Sequence, residues 1–257
     1  MSNSLDTEKL EHEVTSMYRN VATSADADLH FETGRELADR LGYDHEELTY
    51  VPDAAIDSFA GVGYYFDLAA LDPGEDVLDL GSGSGMDAFV AALQVTETGT
   101  VTGIDMTDEQ VMKARDLPAD NGFHNVTVRQ GYIEDLPFED ASFDAVISNG
   151  VINLSAAKGR VFEEVRRVLR PGGRLAIADI VSEGRLPEPI KSDADLWAAC
   201  IGGAEQLDSY IDLIEAAGLR VDDVRENTEY EFTSDQAVTA CQKYGVKSVS
   251  IAARGPI

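Results

Sequence analysis

The chain has 257 residues, 44% of them hydrophobic, which is enough for one sizeable α/β domain with additions. Its 48 acidic and 20 basic residues give a formal net charge of -28, and the acids are scattered along the whole sequence. Because phosphate binding needs a basic surface, this balance argues against nucleic acid and anionic membranes as partners. It favours a protein adapted to concentrated salt, where ions screen the repulsion between surface carboxylates.

The sequence has no pattern typical of a membrane span, a signal peptide or a disulfide framework. No apolar run approaches the ~20 residues that a transmembrane helix needs, and the first residues, MSNSLDTEKLEHE, are polar and acidic. The two cysteines, Cys200 and Cys241, are too few for a disulfide scaffold. We therefore expect a cytoplasmic protein, assign no metal site, and find nothing that indicates an oligomeric state.

The predicted elements begin with a helical cap over residues 1–70 and continue with an alternating α/β domain over residues 71–257. Within the cap, helical spacing covers 8–22 and 34–43. Seven strands are predicted in the second domain, at 76–80, 100–105, 125–130, 143–148, 174–181, 221–226 and 246–254. Helices are predicted between them, at 86–95, 107–122, 157–170 and 209–218. An insertion at 182–207 follows the fifth strand and carries a further predicted helix over 193–204.

A glycine-rich turn follows the first predicted strand, in the run DVLDLGSGSGMD. Gly81, Ser82, Gly83 and Gly85 form this turn, and a helix begins directly after it. The missing Cβ atoms let a ligand approach the backbone, and the helix N-terminus offers free N–H groups. Met86 breaks the longer glycine spacing that binds a dinucleotide pyrophosphate. The turn therefore favours a nucleoside without a phosphate, although short glycine turns also occur only to connect a strand to a helix.

An acidic residue ends the second predicted strand, in the run VTGIDMT. Asp105 lies roughly twenty residues beyond the turn, where a ribose-binding acid is expected in open α/β sheets. The turn and the acid in this order make a cofactor site the better interpretation.

These motifs resemble the S-adenosylmethionine-dependent methyltransferases of the Rossmann-like class, and the resemblance covers about residues 71–181. It implies a doubly wound seven-stranded sheet, S-adenosyl-L-methionine as cofactor and a methyl acceptor. The family resemblance implies that Asp79 contacts the methionine part of the cofactor and that Asp105 binds the ribose hydroxyls. Met106, Ile133 and Glu134 are then expected to contact adenine. Asn149 is expected beside the transferred methyl group.

Three segments, GIDMTDEQ, SNGVINLS and DLWAACIGGA, resemble the arsenite methyltransferases in particular. In that family thiolates hold trivalent arsenic, a soft centre that prefers sulfur. This chain has Val62 and Gly150 where the family has cysteines, and Cys200 alone matches a family thiol. Cys200 is therefore the candidate arsenic ligand.

Three functions remain open from the sequence. The first is methylation of arsenite, with an altered pocket. The second is methylation of carbon or oxygen on a small organic molecule, such as a quinone or a sterol-like ring, to which Tyr64, Tyr65, Phe66 and Trp197 are suited. The third is a non-catalytic module that binds the cofactor. The first two require a small-molecule methyl acceptor, and the charge and the absence of an Asn/Asp-Pro-Pro-aromatic run after the fourth strand argue against nucleic acid.

Overall fold

The computed structural model describes residues 7–23, 31–191, 193, 196–197, 200–233 and 235–257. Its helices are α1 (Thr7–Thr23), α2 (Arg35–Leu41), α3 (Asp53–Ile56), α4 (Phe66–Ala69), α5 (Met86–Val95), α6 (Asp108–Asp120), α7 (Lys158–Val168), α8 (Glu188–Lys191), α9 (Leu207–Ala216) and α10 (Asp235–Tyr244). Its strands are β1 (Asp76–Leu80), β2 (Thr100–Asp105), β3 (Val126–Gln130), β4 (Phe143–Asn149), β5 (Leu169–Ser182), β6 (Glu205–Gln206), β7 (Arg220–Glu226) and β8 (Lys247–Arg254).

The central sheet has the order β3-β2-β1-β4-β5-β8-β7. Strands β1 to β5 are parallel, whereas β8 runs antiparallel to both of its neighbours. The two-residue β6 pairs with the end of β5. The predicted Rossmann-like, doubly wound fold with seven main strands is confirmed, and β6 is an eighth, very short strand that the sequence pattern did not indicate.

The sheet separates two apolar cores, one on each face. Along β1, Val77 packs into the core on the α5 side, whereas Leu78 and Leu80 pack into the core on the α7 side. Strands buried on both faces are expected to be almost continuously apolar, as β1 and β4 are. Asp79 interrupts that pattern on the α5 side, so its carboxylate is buried where a carboxylate is costly.

The strand order reverses beside β1, because β2 and β4 lie on opposite sides of it. A crevice is expected beyond the carboxyl ends of the strands at such a point. Helix α1 packs on α6 next to that crevice.

The helix predicted over 193–204 is only partly present, and residues 194–195 and 198–199 lie outside the described part of the chain. Leu196 and Trp197 are helical, but Cys200 has a φ of 61° and residues 200–203 form a turn. The Cys200 N–H donates to the Trp197 carbonyl and the Ile201 N–H to the Leu196 carbonyl, both at 2.8 Å. This is a Schellman-type helix end, so the C-terminal part of the prediction was wrong.

The sequence pattern also missed α10, which lies between β7 and β8. Among the described residues, none of the helices combines the length and the apolar content needed to cross a membrane.

Candidate cofactor and active site

A cavity of about 550 Å³ lies beyond the carboxyl ends of β1, β2 and β4. All of the predicted site residues except Gly85 and Cys200 line it. They are Asp79, Gly81, Ser82, Gly83, Asp105, Met106, Ile133, Glu134 and Asn149. Gly85 lies just behind the lining as the N-cap of α5, with a φ of 95°.

The glycine turn is held tightly against β2. The N–H groups of Gly81 and Ser82 both donate to the Ile104 carbonyl, at 2.7 and 3.0 Å. Gly81 has a φ of 67°, and a Cβ at this position would approach Cγ2 of Val151 to 2.4 Å. Both the backbone conformation and the packing therefore require glycine at this position.

Asp105 binds the turn as well as facing the cavity. One of its oxygens accepts from the Gly83 N–H at 2.9 Å and the other from the Thr107 N–H at 2.8 Å. Burial raises the pKa of this carboxyl, while the two N–H groups lower it. Each carboxylate oxygen has a further lone pair, so the group can also accept from two ribose hydroxyls.

Asp79 carries an unsatisfied buried oxygen. The residue is 2% exposed, and its Oδ2 atom has no hydrogen-bond partner. Burial, and then the charges of Asp87 and Asp105, raise the pKa of Asp79 well above its usual range. A buried carboxylate in this state attracts a cation that can donate hydrogen bonds.

The charge of the whole lining also favours a cationic ligand. Its carboxyl groups belong to Asp79, Asp87, Asp105 and Glu134, and the lining includes no Lys or Arg. A nucleoside that carries an ammonium and a sulfonium group therefore fits this cavity better than an anionic nucleotide. The residues present thus fit S-adenosylmethionine, and the predicted contacts of Asp79 with its methionine part and of Asp105 with its ribose remain predictions.

The other end of the cavity suits a flat, apolar base. Met106 follows β2, and Ile133, which is 8% exposed, follows β3. Glu134 accepts a hydrogen bond from the Ser155 hydroxyl, so its side chain is fixed at the edge of the cavity. These positions agree with the predicted adenine contacts, which remain predictions.

Sequence reasoning missed the contribution of α1. Leu10, Val14 and Tyr18 line the cavity from this helix, and their four-residue spacing places them on one face. Gln110 on α6 connects that helix to the glycine turn: its Nε2 donates to the Tyr18 carbonyl at 3.1 Å and its Oε1 accepts from the Ser84 hydroxyl at 2.6 Å. The spacing of Leu10, Val14 and Tyr18 was visible in the sequence, but it did not show which surface the helix covers.

Around the end of β4, the two positions that lack the family cysteines are in contact. A Cβ placed on Gly150 would approach Cγ1 of Val62 to 3.1 Å, and Gly150 has a φ of 73°. Val62 is 2% exposed. The valine therefore fills the space that the glycine leaves open.

Cys200 is buried outside the lining of the cavity. Burial, and then the charge of Asp179, raise the pKa of its thiol to about 12. Tyr18 connects it to the site, because Tyr18 lines the cavity and also interacts with the Cys200 thiol. The structure thus brings the candidate arsenic ligand to within one side chain of the cavity.

Comparisons with known proteins agree with this geometry. A family described as "Methyltransferase domain" matches residues 71–231. An arsenite methyltransferase of Halobacterium salinarum is 42% identical over 226 residues, which are 88% of this chain and 58% of that protein. Methyltransferase GfsG of Streptomyces halstedii is 32% identical over 77% of this chain and 75% of its own length. The chain spans about half the length of several arsenite methyltransferases that it matches, for example 56% of the one from Mus musculus.

A solved structure gives the same result. CrArsM, an arsenic(III) S-adenosylmethionine methyltransferase from Chlamydomonas reinhardtii, has a TM-score of 0.67 and 34% identity, over 88% of this chain and 75% of that one. The chain therefore belongs to the methyltransferase domain family, as a class I S-adenosylmethionine-dependent methyltransferase close to the arsenite methyltransferases.

Proposed function

We propose that the protein transfers a methyl group from S-adenosylmethionine to a small molecule, and that this acceptor is trivalent arsenic bound to sulfur. The observation that supports it most is the similarity to the Halobacterium arsenite methyltransferase over 88% of this chain. The acidic cavity, without Lys or Arg in its lining, supports the cofactor part of the proposal.

The cofactor supplies a methyl group on a positively charged sulfur, which a soft nucleophile with a lone pair can accept. The protein's part is to bind and orient. Asp105 fixes the ribose, and Asp79 holds the ammonium group. Leu10, Val14 and Tyr18 of α1 exclude water from the cavity.

The acceptor end supplies fewer thiols than the family resemblance implies. Because its pKa is raised to about 12, Cys200 is a neutral thiol near pH 7. When it binds arsenite, its proton leaves with an arsenic-bound oxygen as water, so the step needs no other co-reactant. We propose that small-molecule thiolates such as glutathione fill the remaining positions on arsenic.

The test is methyl transfer from labelled S-adenosylmethionine to arsenite plus glutathione, in molar KCl. We expect labelled methylarsenic from the wild type and its loss in Cys200→Ser, because a hydroxyl is a harder and far less ionised ligand than a thiol. Cys241→Ser is the matched control, since Cys241 is a half-buried thiol on α10, and it should retain activity.

Other outcomes decide between the alternatives. Transfer to a quinol or phenol, but not to arsenite, would favour an organic acceptor. Cofactor binding without transfer to any of these acceptors would favour a non-catalytic binding module. Arsenite methylation that is unaffected by Cys200→Ser would contradict the assigned role of this thiol.

A further inference from the structure

We propose that Asn149 is a positioning residue, which fixes the strap (residues 61–64) against the acids of the cofactor cavity without contacting the cofactor itself. The proposal rests on the proposed function, because it concerns the same site. It differs from the role that the family resemblance implies, which is direct contact beside the transferred methyl group.

The hydrogen bonds of the Asn149 amide carry this inference. Its Oδ1 accepts from the Val62 N–H at 2.7 Å. Its Nδ2 lies 3.0 Å from each of three acceptors, which are the Gly63 carbonyl, the Tyr43 hydroxyl and Oδ2 of Asp87. A primary amide has two N–H donors, so these acceptors already use its full donor capacity. Asn149 lines the cavity with no N–H left for a ligand.

The strap is also held by β8, the strand that runs antiparallel to both of its neighbours. The Ser248 hydroxyl donates to the Val62 carbonyl at 2.6 Å, and the Ser250 hydroxyl donates to the Tyr64 carbonyl at 3.0 Å. The strap also lies very close to Asn149, since a Cβ on Gly61 would approach Nδ2 of Asn149 to 2.6 Å. Strands β4 and β8 therefore clamp the strap between them.

Asn149 connects this clamp to a buried charge. Asp87 is 5% exposed and accepts from the hydroxyls of Tyr43 and Tyr65, at 2.6 and 2.8 Å, as well as from Asn149. Asp87 in turn helps to raise the pKa of Asp79. The Asn149 amide thus joins the strap at the acceptor end to the acids at the cofactor end.

The experiment compares Asn149→Ala with Ser248→Ala, which loosens the strap without contacting Asp87. Asn125→Ala is the matched control: the Asn125 amide donates to the Thr96 carbonyl at 2.7 Å, at the opposite end of the sheet. The readouts are amide hydrogen exchange over 61–64, calorimetric affinity for S-adenosylhomocysteine across pH, and kcat and KM for S-adenosylmethionine in the arsenite–glutathione assay.

In Asn149→Ala we expect amide exchange in the strap to become about tenfold faster and kcat to fall about tenfold, with little change in KM. A factor of this size corresponds to one lost hydrogen bond to a charged group. The pH midpoint of S-adenosylhomocysteine binding should rise, because the Asn149 N–H lowers the pKa of Asp87. Ser248→Ala should speed strap exchange without moving that midpoint. The control should match the wild type in all three readouts.

A fall in S-adenosylhomocysteine affinity as large as the fall in kcat, with unchanged strap exchange, would overturn the proposal in favour of direct cofactor contact. If the alanine variant does not fold, Asn149→Asp gives the same test. The new carboxylate should repel Asp87 near neutral pH, so the strap amides should lose protection from exchange. At lower pH the carboxyl group is protonated and becomes a donor, so strap protection should return. Strap protection that does not return at lower pH would overturn the proposal. Exchange and affinity are measured without an acceptor, so they decide the matter even if arsenite is not methylated.

Discussion

The two ends of the cavity are built in different ways. At the cofactor end, the glycine turn and Asp105 lie within a short stretch of sequence and are joined by the Gly83 N–H. At the proposed acceptor end, Val62 and Asn149 are 87 residues apart and meet only in the folded chain, while Cys200 interacts with Tyr18 and Asn153. The first end has the features that the family resemblance implies, whereas the second has Val62 and Gly150 where that resemblance implies cysteines. From this difference we predict that cofactor binding and acceptor choice are separable in this fold.

The largest effect should come from breaking the cofactor end. Asp105→Ala should weaken S-adenosylmethionine binding by about ten- to a hundredfold, the effect of one or two lost charge-assisted hydrogen bonds, as measured by calorimetry. Asp108→Ala, which removes an exposed acid at the start of α6, is the control and should change affinity little. Equal affinity in wild type and Asp105→Ala would mean that the ribose binds elsewhere.

The cofactor end was predictable from the sequence because its constraints are local. Gly81 must be glycine for the turn that follows β1, and Asp105 ends a strand that the sequence pattern predicts. The doubly wound, seven-stranded sheet followed from the alternation of elements together with the family resemblance.

The acceptor end was less predictable because its contacts are long-range. The complementary packing of Val62 on Gly150 and the saturation of the Asn149 amide depend on distances that no spacing rule gives. The turn at Cys200 was read as helix, since the Schellman hydrogen bonds that end the helix are visible only in the structure. The roles of α1 and Gln110 were missed for the same reason.

The second-largest effect concerns the stability of the acceptor end. Gly150→Cys should lower the free energy of unfolding by roughly 1–2 kcal/mol or more, because a side chain at a φ of 73° is strained and its Cβ lies 3.1 Å from Val62. Adding Val62→Cys removes the crowding but not the backbone strain, so the double variant should recover part of the loss. Denaturant unfolding of the four proteins in this cycle measures the coupling, and strictly additive effects would mean that the two positions do not touch.

A smaller effect is expected from pH. Because burial raises the pKa of Asp79, this group takes up a proton as pH falls and then no longer attracts the ammonium group of the cofactor. Affinity for S-adenosylmethionine should therefore rise from acid to neutral pH, and Asp79→Asn should flatten that rise. The stability of the cofactor-free protein should depend on pH in the opposite direction. The folded state binds the Asp79 proton more tightly than the unfolded chain does, so the contribution of Asp79 to stability falls as pH rises. Equal pH slopes in wild type and Asp79→Asn would contradict the assignment.

The smallest effect on binding should come from salt, which should raise the stability of the fold but lower the affinity for the cofactor. With a net charge of -28, the fold should gain stability from dilute buffer to molar KCl, because repulsion between surface acids is screened. Cofactor affinity should weaken a few-fold over the same range, since the acidic cavity attracts its cationic ligand less. A flat melting temperature would contradict adaptation to salt, and tighter cofactor binding in salt would contradict the electrostatic account of the cavity.

The most direct test of separable ends is the double variant Val62→Cys with Gly150→Cys, measured in the same preparation for S-adenosylmethionine affinity and for arsenite methylation. We expect affinity equal to the wild type, because neither residue lines the cofactor cavity, together with faster methylation of arsenite from the restored thiols. If cofactor affinity falls in this variant, the two ends are not separable; if affinity is retained but arsenite methylation stays unchanged, Val62 and Gly150 do not lie at the acceptor end.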